Sequence, residues 1–410
     1  MVNGATILPR TAGLNRTTEA QEAAITNPTT ECSDYTYEPV EKVAKLYPAN
    51  WEIATILAND TEAKAAFALI LPKIPTNISV KGKPTDSETG TKYSDADPDC
   101  WWTYSECTTP KLAGLPNDVI NVPEPNTLGY GFDDGPDCAH NAFYNFLTAQ
   151  NQKATMFYIG SNVQDYPLEA QRAITDGHEI CIHTWTHQYS TALTNEQFFA
   201  EIWYTMKMIK LVTGVTPQCW RPPYGDIDDR IRSITHAMNL TTIVWSYDSN
   251  DWSYGETPGV TTGQIDNNYN ALIKKQQAGA FNTRGTIILT HELTNFTMSE
   301  AIKYHPLLAA SFSHLVPVGV AYNWTQPYVE TNYALPSFAQ YAAGTTQVNA
   351  STSTSTSSSN TSSTATGTGA AASSSSASGS SSSGAVSHTP ATSVLVAMLA
   401  AVGGALIAMA

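Results

Sequence analysis

Between about residues 125 and 290 short apolar runs alternate with amphipathic stretches, and this alternation most limits the folds open to the chain. Leu128-Gly129-Tyr130-Gly131-Phe132 reads as a strand, and Gly135-Pro136 ends it. Residues 153–160 read as a strand, 165–176 as a helix closed by Gly177, and 180–182 as a strand. Thr194 and Gln197 make a capping box. The helix it opens carries Phe198, Ile202, Met206 and Ile209 inward until Gly214 stops it. A strand then runs to Trp220, and Asp226 is expected to cap the next helix, with Ile227, Ile231, Ile234 and Met238 at helical spacing. Residues 241–245 read as a strand, 262–277 as a helix and 285–289 as a buried strand. Repeated strand–helix units of this length favour an α/β fold on a parallel sheet, open or closed into a barrel. In both forms chemistry gathers at the C-terminal strand ends. Asp133, His183, Arg221, Asp248 and His291 each follow a predicted strand end.

The flanks are of another kind. Residues 1–31 are polar and expected to be disordered; they hold no apolar run like a secretory signal, so either the start lies upstream or the export signal is atypical. Residues 32–124 form an N-terminal extension expected to pack on the main domain. Within it residues 40–68 look partly helical, with Val43, Leu46, Trp51, Ile53, Ile56 and Leu57 as core candidates. The tryptophans of Cys100-Trp101-Trp102 are read as buried against the main domain rather than exposed for sugar stacking. Residues 328–348 close the globular part, and 349–393 form a low-complexity Ser/Thr-rich stalk and spacer, expected to be disordered because it has no core to bury. Small residues Ser382, Ser383 and Gly384, a spacer to Ser393 and the apolar tail 394–410 make the pattern of a GPI attachment signal. The tail is short for a membrane span and lacks basic flanks.

A net charge of -15 argues against nucleic acid and against an anionic membrane surface, and leaves a neutral or cationic polymer as a partner. None of the six cysteines forms a C-x-x-C pair, so a cysteine zinc site is disfavoured. An even count fits disulfides, with Cys100–Cys107 the preferred local bridge and reduced core thiols the alternative. N-x-[ST] acceptors begin at Asn15, Asn59, Asn77, Asn239, Asn295, Asn323, Asn349 and Asn360, a density that suits a secreted glycoprotein.

The chemistry centres on Asp133-Asp134. Two adjacent carboxylates at a strand end repel unless a cation or a shared proton neutralises one. His183 and His187 supply ligands for such a cation. On a continuing strand they would stand about 13 Å apart; on a helical turn they would share a face. The chain must therefore leave the strand near His183. With Asp134 this makes three protein ligands and one open position; the alternative is a pair of hydrogen-bonded surface histidines.

GFDDGP (131–136), HTWTH (183–187), RPPYG (221–225), DSNDW (248–252) and LTH (289–291) occur in this order. The set resembles the family-4 carbohydrate esterases, the polysaccharide deacetylases with the NodB homology domain, over about residues 125–327. More loosely, the Cys-Trp-Trp region and Cys219-Trp220-Arg221-Pro222-Pro223-Tyr224-Gly225 are similar to the fungal chitin deacetylases of that family. One departure is Gly131, where the family usually has Thr. The resemblance implies a distorted (β/α) barrel and a divalent metal, zinc most often and cobalt as a substitute, held by Asp134, His183 and His187. It further implies Asp133 as general base, Arg221 as its partner, His291 as general acid and Asp251 as the support of His291. The Tyr224 N–H would face the oxyanion, Trp252 and Leu289 would wall the acetyl pocket, and Asp248 would be a structural support. The expected activity is hydrolysis of N-acetyl groups of chitin at a fungal cell surface, by a GPI-anchored monomer. The alternatives are an acetylxylan esterase and a non-catalytic wall mannoprotein that binds polysaccharide.

Overall fold

The run read as one strand is divided at Tyr130, and the division builds a barrel. In this computed structural model, which describes residues 16–86 and 93–346, β1 (Thr127–Gly129) and β2 (Gly131–Gly135) belong to different sheets. The Tyr130 N–H donates to Val316, while its carbonyl accepts from the Thr155 N–H. β1 thus pairs with β8 (Thr286–Leu289) and β9 (His314–Val316), and β2 with β3 (Thr155–Tyr158). The second sheet continues through β4 (Glu179–Ile182), β5 (Cys219–Trp220) and β6 (Thr241–Thr242). Past β6 the chain crosses to the far edge and pairs with β8 as β7 (Tyr247–Asp248). The ring closes where Asp133 bridges His291. All pairings between these strands are parallel, so the α/β class is as expected and the barrel is the closed, distorted form.

The strand expected over 241–245 is shorter because this segment turns the corner between sheets, and Val119 of the extension pairs with Ile243 there. Phe157, Cys181, Ile243, Ile287 and Val316 belong to the buried core cluster, and a Cys181–Cys219 disulfide joins β4 to β5.

The helices follow their local signals closely. Asn195–Thr213 opens on the Thr194/Gln197 capping box and stops at Gly214, whose φ of 82° is left-handed. Thr262–Gln277 has the expected bounds. The helix expected over 165–176 begins at Pro167 and is preceded by a separate one, Gly160–Asp165. Asp226 does not cap Asp229–Ala237. Asp228 does, accepting from the Ile231 N–H at 2.9 Å. The Asp226 carboxylate is occupied by Trp101 Nε1, Thr103 Oγ1 and the Thr191 N–H.

The expectation of disorder over 1–31 fails from residue 16 onward. Helices Glu19–Ala23 and Pro28–Glu31 form there, and Arg16, Glu22 and Glu31 are buried. Their polarity is absorbed partly within the segment and partly by partners distant in sequence. Arg16 pairs with Glu22, Glu31 accepts from the Asn141 N–H at 3.1 Å, and a Cys32–Cys138 disulfide ties the segment to the loop after β2.

In the extension, Val43, Leu46, Trp51, Ile53, Ile56 and Leu57 are not the core; Leu46 and Trp51 are 65% and 42% exposed. Val40, Ala54, Ala63, Ala66 and Ile70 are buried instead. Residues 50–57 are not helical, so a helical period does not describe their inward face. Trp101 is buried as expected, Trp102 packs on Trp245, and Cys100–Cys107 is a disulfide. The expected stalk, spacer and apolar tail lie outside the described residues. Among the described residues no helix is long and apolar enough to cross a membrane.

Candidate active site

The C-terminal ends of β2, β4, β5, β7 and β8 bring the expected residues into one cluster. Asp133 and Asp134 stand within β2 rather than after it. A β-bulge between Asp133 and Gly135, with Asp134 at φ 71°, lets both carboxylates reach the same side. Gly135 is required by close approach: a Cβ there would lie 2.6 Å from Glu292 Oε2.

One ligand atom each from Asp134, His183 and His187 lies within 4.8 Å of the others. Asp134 Oδ1 is 3.3 Å from His183 Nε2 and 3.1 Å from His187 Nε2. It is buried, yet no contact to it has hydrogen-bond geometry. Three electron-pair donors converging on one point, one of them an orphaned buried carboxylate oxygen, fit a shared cation. His183 Nδ1 lies 2.8 Å from the Arg221 carbonyl. A carbonyl only accepts, so Nδ1 carries the hydrogen and Nε2 offers its lone pair to the cluster. Burial pushes the Asp134 carboxyl up; positive charge facing it, from His187 and His183 when they are protonated and no cation is bound, more than offsets this and holds it well below the usual range.

His183 and His187 do not meet on a helical turn. The loop between them bends through left-handed φ values of 64° at Thr184 and 54° at His187, and Thr184 Oγ1 accepts from the His187 N–H at 3.0 Å. Tyr224 is left-handed too, at 58°. Such backbone costs about 1–3 kcal/mol per residue and gathers where function requires it.

Two buried pairs flank the cluster. Arg221 Nη1 donates to Asp133 Oδ1 at 2.6 Å, and its guanidinium lies 3.9 Å over the Phe157 ring. Asp133 Oδ2 faces inward, 3.7 Å from His183 Nε2. On the other side His291 Nδ1 contacts Asp251 Oδ1 at 2.6 Å, and the His291 N–H donates to Asp251 Oδ2 at 3.0 Å. Burial pulls the His291 imidazolium down, but Asp251, helped by Asp134 and Asp133, pushes it up to about 10. Leu289 is the buried last residue of β8, whereas Trp252 and Tyr224 are 39% and 50% exposed. Tyr224 stacks on Tyr189 and meets His187 edge-on. Asp248 accepts from the Asn250 N–H at 2.7 Å, which holds the turn that carries Asp251.

Two buried carboxylates escaped sequence reasoning. Glu292 accepts from the Tyr144 hydroxyl, and its other oxygen lies 2.8 Å from His140 Nδ1, behind β2. Glu201 accepts from the backbone of the histidine loop. Its signal was a lone acidic residue inside the apolar run Phe198-Phe199-Ala200-Glu201-Ile202-Trp203; Glu292 had none.

Residues 121–243 match the family described as polysaccharide deacetylase. The chain is 52% identical to chitin deacetylase 2 of Cryptococcus neoformans var. grubii over 341 residues, covering 82% of this chain and 74% of that one. It is 42% identical to chitin deacetylase of Amylomyces rouxii over 318 residues, covering 76% and 74%. A solved chitin deacetylase from Colletotrichum lindemuthianum superposes with a TM-score of 0.46 at 19% identity, covering 51% of this chain and 92% of that one.

Proposed function

This chain belongs to the polysaccharide deacetylases, a family of hydrolases, and from that premise we propose that it hydrolyses the N-acetyl groups of N-acetylglucosamine units in chitin, yielding acetate and free amines. The single observation that carries the reading is the convergence of Asp134, His183 and His187 between the Asp133–Arg221 pair and the His291–Asp251 pair. Choice of chitin is supported by the names of the two relatives.

Asp134, His183 and His187 would hold a divalent metal, zinc in the first place. When bound, it supplies a Lewis acid for the amide carbonyl and acidifies the attacking water. The remaining steps belong to the chain. Asp133 takes the water's proton through Oδ2, because Arg221 engages Oδ1 and keeps the carboxylate oriented. The Tyr224 N–H serves the developing oxyanion. An amine leaves only if it is protonated. His291 donates from Nε2, since Nδ1 is committed to Asp251, and its raised pKa keeps it loaded at neutral pH. Leu289 and Trp252 wall the acetyl group.

Acetate release from a defined chitin oligomer tests this. Activity should vanish on chelation and return with zinc or cobalt. Asp133→Ala should abolish release while sparing sugar binding. Equal activity in that variant would end the mechanism, and preference for acetylated xylan would end the substrate assignment. The reading extends to a cell-surface, GPI-linked monomer on the secretory route. Its support is the composition of residues 349–410 and the three disulfides, which suit an oxidising compartment. Failure of phosphatidylinositol-specific phospholipase C to release the protein from cells would refute the anchor.

A further inference from the structure

We propose that Glu201 is the positioning residue of the histidine loop, and that its carboxylate sets how tightly Asp134, His183 and His187 grip a divalent metal. The proposal rests on the reading of those residues as ligands. Glu201 is fully buried on the helix Asn195–Thr213, outside all five motifs. Its Oε2 accepts from the Trp185 and Thr186 N–H groups, each at 2.8 Å. Its Oε1 accepts from Thr186 Oγ1 at 2.9 Å and from the Ala54 N–H at 2.8 Å. Three of these four donors lie between the two histidines; the fourth comes from the N-terminal extension. Only a carboxylate accepts on both terminal atoms; an amide turns a donor toward one pair.

The residue between the amides that Glu201 grips is held from its other side as well. Trp185 Nε1 donates to the Ala49 carbonyl at 3.2 Å, and the Trp185 carbonyl accepts from Ser161 Oγ at 2.7 Å. Tyr47 stacks on its ring at 6.0 Å. The loop needs such a hold. Thr184 and His187 sit in left-handed backbone, and a loop free to relax would leave it, carrying His187 away from Asp134.

The test is the zinc dissociation constant of the full chain, stripped and then titrated against a chromophoric chelator, beside kcat for acetate release at saturating zinc. Glu201→Gln should raise the dissociation constant about 10- to 100-fold, the usual range for an outer-shell partner, and activity lost at limiting zinc should be regained in part as zinc is raised. A folded variant with unchanged zinc affinity overturns the proposal, because a merely structural carboxylate would lower the melting temperature and leave affinity alone. Should Glu201→Gln fail to fold, as judged by near-ultraviolet circular dichroism, Thr186→Val replaces it, removing one donor only. It should weaken zinc about 3- to 10-fold, and an unchanged value overturns the proposal equally. His187→Ala separates the two readings. If it binds zinc as the wild type does, the ligand reading falls and the proposal with it. If it loses zinc while Glu201→Gln keeps it, only the proposal falls.

Discussion

Asp251→Asn should move the alkaline limit of activity. The substitution keeps the shape of the side chain and removes its charge. In the wild type Asp251 lies 2.6 Å from His291 Nδ1 and pushes its imidazolium up to about 10 against the downward pull of burial. Without that charge burial is opposed only by Asp134 and Asp133, so the group should titrate near its ordinary 6.5. The direction of the effect follows from the role. A general acid is lost as pH rises through its pKa, so the variant should fail first on the alkaline side. At pH 8 a group of pKa 10 is about 99% protonated and one of pKa 6.5 about 3%, a loss of roughly 30-fold in kcat/KM. At pH 5.5 the variant is still about 90% protonated. Both ring nitrogens then carry hydrogen and the tautomer no longer matters, so the deficit should shrink to within about threefold. The assay is kcat/KM for acetate release from a chitin oligomer, from pH 5 to 10 at saturating zinc. A profile lowered by one constant factor, with its alkaline limb unmoved, would refute the assignment of His291 and Asp251.

Arg221→Lys should lower kcat about 10- to 100-fold with KM little changed, since an ammonium cannot hold Asp133 and also reach the Ile243 and Val244 carbonyls as the guanidinium does. Steady-state kinetics decide it, and wild-type kcat would show that Asp133 needs no such partner. Gly131→Ala should cost about 1–3 kcal/mol in a denaturant melt, because the new Cβ would lie 2.7 Å from the Thr155 carbonyl across the β2–β3 pair. Replacing Cys32 and Cys138 together by Ala opens a link spanning 106 residues and should remove up to about 4–5 kcal/mol of stability. An unchanged melting temperature would contradict this.

Legibility followed the range of the interaction. The helix read roughly over 262–277 keeps those bounds because the Thr261/Gln264 capping box that opens it is a local interaction. The same holds for the Thr194 cap and Gly214. The strand over 241–245 was overextended because its end is set by which neighbour it pairs with, and Ile243 pairs with Val119, which precedes it by more than a hundred residues. Asp226 was misread as a cap because two caps were chemically equal in sequence, and only Trp101, Thr103 and Thr191 choose between them. The segment 16–31 looked solvated because its charges are neutralised by one another and by the barrel's helices only once the chain has folded.

By itself the amino-acid order determined the strand–helix rhythm, the Thr194 cap and the identity of the groups able to bind a cation or move a proton. Those depend on side-chain chemistry and on neighbours a few residues apart. Tertiary structure alone decided that β1 and β2 part at Tyr130, that the histidine loop bends through left-handed turns, and that Glu201 and Glu292 are buried behind the site. Each of these is set by hydrogen-bond partners far along the chain, and such partners acquire a distance only when the barrel closes.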